Sequence, residues 1–204
     1  MFIALFALVL AADPALPHEH RGKATPFTTP PALTLTEAEL ATLAAGKQVL
    51  KQGQVGNGGR GVAVMDVNAS VERVWSRILS FSSYPKWVDQ VATCEEYKRE
   101  GDKIYVRFVL DVLGVGVEYY VKHTLRKSAG TMTWTLDYDR LSDLDDSVGF
   151  WRVTPISTDP PVTRIEYSVD IRFKGWIPGF IQSMIAESGL TSATSWVKKQ
   201  SEAG

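Results

Sequence analysis

His123 is the residue in this chain with the clearest means of doing chemistry. It lies in Val117, Tyr119, Val121, His123, Leu125, where every second residue is apolar or aromatic and Glu118, Lys122 and Arg126 fall between. That spacing puts the imidazole on the apolar face of a strand. A buried imidazole needs a partner. It is either a core histidine paired with a tyrosine or a backbone carbonyl, or a group that meets a ligand. Tyr119 or Tyr138 would hold an enolate oxygen if His123 were a general acid/base. Arg140 comes at a predicted strand end and reads either as an exposed or ion-paired rim residue or as an anchor for a polar ligand group.

Other candidate chemistry is weaker. The single cysteine, Cys94, excludes an intramolecular disulfide and has no histidine near it in sequence, which suits an inert buried thiol. No Ser–His–Asp arrangement is legible. Asp139, Asp143, Asp145 and Asp146, with Ser142 among them, lack the spacing and glycine of an EF-hand loop and read as a solvated turn. His18, Glu19 and His20 lie in a proline-rich stretch without the preorganised ligands a metal site needs. Gly53, Gly56, Gly58, Gly59 and Gly61 have no Gly-Lys-Ser/Thr after them, so a flexible joint is expected rather than a phosphate loop. No metal and no cofactor are expected.

The elements that must position these residues follow from periodicity. Even positions from Ile104 to Val112, including Phe108 and Leu110, are apolar. So are Met132, Trp134, Leu136 and Tyr138, with Arg140 next in the series, and the odd positions Ile165, Tyr167, Val169, Ile171 and Phe173. Val91–Arg99 is a weaker strand, and Phe150–Ile156 is another. One-sided alternation in successive strands predicts an antiparallel sheet with one wet face. Gly114, Val115 and Gly116 supply a hairpin turn. Ahead of the sheet, Gly61–Val67 is a short strand. Asn68 or Ser70 then caps a helix whose buried positions are Val71, Val74, Trp75, Ile78 and Leu79. Residues Pro178 to Lys199 are the only segment long enough to cover the inner face; Phe180, Ile181, Met184 and Ile185 form the first stripe, and the stripe shifts at Gly189. Nearer the start, Thr36 and Glu39 form a capping box, with Leu35 and Leu40 as its hydrophobic staple.

The chain has 204 residues, 22 basic and 23 acidic side chains and 10% aromatics, including 6 Trp. That suits a sizeable core and gives no electrostatic case for nucleic acid as a partner. Phe2–Ala12 is an uninterrupted apolar run of 11 residues, too short for a membrane-spanning helix, which needs about 20, but matched to a secretory signal ending near Ala11 or Ala12. The expected organisation is a signal peptide over 1–12, a linker and helix over 13–59, and a ligand-binding domain over 60–204, exported to the periplasm or outside.

Within residues 60–200 the chain resembles the START/Bet v 1-like (SRPBCC) superfamily, the polyketide cyclase and lipid-transport group. The resemblance rests on Val67-Asn68-Ala69-Ser70-Val71-Glu72-Arg73-Val74-Trp75, on Tyr84-Pro85-Lys86-Trp87, on Gly149-Phe150-Trp151-Arg152-Val153 and on the helix from Pro178. It implies an α+β helix-grip fold, a curved antiparallel sheet wrapped around a long C-terminal helix, with a cavity for lipids, sterols, pigments or polyketides. Phe108, Leu110, Tyr119, His123, Trp134, Tyr138, Arg140, Tyr167 and Met184 are the expected ligand-binding residues. The expected function is binding or transport of an apolar small molecule, with transient membrane contact. The alternative is a cyclase or dehydratase that uses His123 as general acid/base.

Overall fold

The computed structural model describes residues 24–55, 58–112, 114–174 and 189–203. The predicted signal peptide, His18 to His20, Leu113, Met184 and the first half of the predicted terminal helix lie outside the described residues. The chain order is α1 (Glu37–Ala44), β1 (Val49–Val55), β2 (Gly58–Val67), α2 (Val71–Ile78), α3 (Tyr84–Trp87), β3 (Val91–Glu100), β4 (Lys103–Val112), β5 (Val115–Arg126), β6 (Thr131–Leu136), β7 (Leu144–Thr158), β8 (Pro161–Phe173) and α4 (Leu190–Glu202). All eight strands form one antiparallel sheet in the order β1-β2-β8-β7-β6-β5-β4-β3.

Register decides which side chains share a face. His123 is opposite Ile104 on β4 and Trp134 on β6, and Tyr119 is opposite Phe108. Trp151 is opposite Tyr167, which is opposite Ala63 on β2. These residues line one concave face, and α2, α3 and the Trp196 and Val197 side of α4 pack onto part of it through a core that includes Met65, Trp75, Ile78, Phe81, Ile104 and Ile165. Ser70 caps α2 by accepting from the Arg73 amide, and the high-contrast face of that short helix buries Val74, Trp75 and Ile78. Arg73 Nε donates to Ser201 O at 2.6 Å and Arg77 Nε donates to Gln200 O at 3.1 Å. Two cations therefore meet the carbonyl end of α4, where the helix dipole favours them.

Four expectations about local structure need correction. The glycine-rich stretch is a β-hairpin arm, not a flexible joint. Its glycines allow close approach: a Cβ on Gly58 would sit 1.8 Å from Ile171 O, and one on Gly61 would sit 3.1 Å from the Leu190 side chain of α4. The predicted strand through Arg140 ends at Leu136. There the Asp137 amide makes its last bond to Tyr120 O, and the Arg140 amide donates back to Asp137 O at 3.0 Å, which turns the chain. Asp145 and Asp146 belong to β7 rather than to a turn, and Asp146 is fully buried. The capping box of Thr36 and Glu39 forms, but Leu40 is 44% exposed and Leu43 is the side chain that α1 buries.

Residues 24–35 lie against the convex face of the sheet. The Ala24 amide donates to Asp146 Oδ2 at 2.8 Å, and Phe27 meets Phe150 edge-on with centroids 5.1 Å apart. Arg126 donates to Thr28 O, and Arg152 donates to Pro30 O and Pro31 O, at 2.6–2.9 Å. Leu33 and Leu35 then join Leu43, Val49, Val62 and Val64 in a small second core on that face.

Candidate functional site

The concave face divides into a filled part and an accessible part. His123, Trp134, Ile104, Met65 and Trp151 are buried. Phe108, Leu110, Tyr119, Tyr167 and Val169 share their face but stay only partly buried. Their rings touch: Phe108 stacks on Tyr119 at 5.2 Å, and Tyr167 lies 5.5 Å from Trp134 and 4.6 Å from Trp151. Trp134 reaches this position because β7 carries Gly149 beneath it, where a Cβ would sit 2.1 Å from Trp134 Cζ2. Its indole N–H donates to Ser147 Oγ at 3.3 Å.

His123 sits at the closed end. It is 5% exposed, with the Phe81 ring 5.4 Å away and Trp134 6.1 Å away. No hydrogen bond of normal geometry reaches its buried Nδ1. Burial lowers its pKa to about 4, and the nearby Ile104 backbone opposes this only partly. The imidazole is therefore neutral at physiological pH. As a general base it is poorly matched to neutral pH, since the most efficient proton-transfer groups titrate near the working pH.

The tyrosines behave differently. Tyr84 spends its hydroxyl on Ile78 O at 2.5 Å. Among the described residues no hydrogen bond engages the hydroxyl of Tyr119 or Tyr167. Burial first, then mutual proximity and nearby Cys94, raise the Tyr119 pKa; burial alone raises that of Tyr167. Both hydroxyls remain protonated, so both are available donors. Burial likewise pushes the Cys94 thiol up, which keeps it from acting as a thiolate nucleophile.

Of the predicted site residues, Phe108, Leu110, Tyr119, His123, Trp134 and Tyr167 come together on the concave face. Tyr138 and Arg140 do not, because the strand that would have aimed them inward has already turned. The Tyr138 hydroxyl donates to Asp146 Oδ1 at 2.7 Å. The Arg140 guanidinium lies 4.5 Å from the centre of the Tyr97 ring and 5.2 Å from that of Tyr120, on the face opposite His123. Sequence reasoning did not assign Phe81, Tyr84, Cys94 or Trp196 to the site. The Tyr84–Trp87 motif was visible, but only the fold brings Trp196 within 4.6 Å of Tyr84 and Cys94 opposite Phe108. A separate open depression of about 380 Å³, walled partly by Lys86, Asp89 and Asp111, is polar and solvated and makes a poor seat for an apolar molecule.

Residues 60–199 match the sequence family described as polyketide cyclase/dehydrase and lipid transport. No curated protein matches the chain. Among solved structures, a STAR-related lipid transfer protein from Xanthomonas axonopodis is 14% identical with a TM-score of 0.60, covering 75% of this chain and 93% of that one. A START superfamily protein from Mycobacterium smegmatis is 17% identical with a TM-score of 0.55, covering 76% and 97%. The Zhui aromatase/cyclase from Streptomyces sp. R1128 is 12% identical with a TM-score of 0.58, covering 76% and 94%. The curved sheet with its C-terminal helix is the helix-grip fold of these neighbours.

Proposed function

The chain belongs to the polyketide cyclase/dehydrase and lipid transport family, and from that premise we propose that it binds and carries an apolar small molecule on the accessible part of its concave face. The observation that carries this reading is the group Phe108, Leu110, Tyr119, Tyr167 and Val169. They are large apolar or aromatic side chains facing the fold's interior, yet left partly uncovered beside a fully packed core. Apolar walls with a few polar groups are the composition of a small-molecule site. Transfer of such a ligand involves transient contact with a membrane, and the apolar run Phe2–Ala12 supports an exported carrier.

The cyclase or dehydratase reading is second. It asks His123 for proton transfer, and a neutral imidazole walled in by Phe81 and Trp134 is badly placed for that. Native mass spectrometry of the purified protein, with extraction of whatever co-purifies, tests the carrier reading. A stoichiometric apolar molecule is expected. Protein of bare chain mass that also takes up no added lipid, sterol or polyphenol contradicts it.

A further inference from the structure

We propose that the ligand is electrically neutral, a lipid-like alcohol, ketone or phenol rather than a fatty acid or phospholipid. This rests on the carrier reading and adds the chemical class of the cargo. Among the described residues, the concave face carries no Asp, Glu, Lys or Arg on β2, β8, β6, β5 and β4, and on β7 Asp145 interrupts the alternation at a register bulge between Leu144 and Asp146. The charges in register with it are Glu96 and Arg99 on the edge strand β3, both exposed and paired with each other. Arg73 and Arg77, the cations on the covering helix α2, are committed to carbonyls at the end of α4. Residues 175–188, which precede α4, contain no Lys, Arg or His.

A carboxylate or phosphate buried against these strands would meet no cation from them or from α2, and an unpaired buried charge is costly. What the face does offer is a pair of uncommitted donors, the Tyr119 and Tyr167 hydroxyls, both held in the protonated state by burial. Phenolic donors match a hydroxyl or carbonyl oxygen. The surrounding rings of Phe108, Trp134 and Trp151 favour a flat or cyclic hydrocarbon skeleton, which stacks on them.

The test compares matched probes on the full chain at pH 7.5, read by tryptophan fluorescence: retinol against retinoate, and 1-hexadecanol against palmitate. The neutral member of each pair is expected to bind at least tenfold more tightly. Tyr119→Phe and Tyr167→Phe are each expected to weaken the alcohols about fivefold while leaving hexadecane binding and the melting temperature unchanged. Acids that bind as well as the alcohols overturn the neutral-ligand assignment and leave the carrier reading standing. Failure of all four probes and of hexadecane to bind overturns the carrier reading, and the assignment with it.

Discussion

His123 couples stability to pH. Its pKa in the folded protein is about 4, against 6.5 for an unperturbed histidine. Between those values the unfolded chain takes up a proton that the folded chain refuses. Stability should therefore be level above pH 6.5 and fall as pH drops toward 4, by at most about 3 kcal/mol from this one group. His123→Leu should abolish that component and change stability at pH 7 by no more than about 1 kcal/mol, since it removes an unpaired buried nitrogen. Urea unfolding at pH 7 and pH 4.5 for both proteins checks this; equal slopes in the two would contradict it. Gly149→Ala should cost about 3 kcal/mol or more in the same assay, because the new methyl collides with Trp134 Cζ2 at 2.1 Å and Ser168 O at 2.2 Å. His123, Tyr119, Phe108 and Tyr167 were legible in the sequence because period-two alternation fixes a face as long as the strand lasts. Tyr138 and Arg140 were misread because alternation does not reveal where a strand stops, and the Asp137 turn that stops β6 is made by local hydrogen bonds.

Two elements hold the site's frame from outside it. Helix α4 is fixed at its end by Arg73 and Arg77, so Arg73→Ala should cost about 1–2 kcal/mol and speed amide exchange at residues 199–203. The segment 24–35 covers the convex face. Removing it would expose Phe150 and take the Ala24 amide away from the buried Asp146 carboxylate. A chain starting at residue 36 should keep its strand content by circular dichroism but lose about 3 kcal/mol or more of stability relative to one starting at residue 24. This segment read as a proline-rich linker because its bonds run mainly through its own backbone. Arg126 and Arg152 reach carbonyls of Thr28, Pro30 and Pro31, and carbonyls leave no side-chain pattern. The β1–β2 hairpin was hidden for the opposite reason. Glycines selected for close packing against Ile171 and Leu190 look like glycines selected for flexibility until the partner is known.

At the scale of the molecule, the ion pairs across β2, β8 and β7 and the large aromatic wall lie on opposite sides of one sheet. The convex side carries the Arg164–Asp66, Arg152–Glu166 and Arg60–Asp170 pairs at 2.6–2.7 Å, together with the 24–35 segment. The concave side carries the aromatic wall and the two tyrosine donors. Export is a separate proposal: the mature protein should begin after Ala11 or Ala12 on N-terminal sequencing, and an intact Met1 on the soluble cytoplasmic protein would contradict it. The central claim is that the ligand seat lies on the concave side. Its most direct test is a methyl NMR titration of leucine- and valine-labelled protein with an apolar alcohol. Leu110 and Val169 should shift in proportion to occupancy, while Leu33, Val62 and Val64 on the convex face stay fixed. Shifts confined to Leu33, Val62 and Val64, or no saturable shift at Leu110 and Val169, would contradict the account.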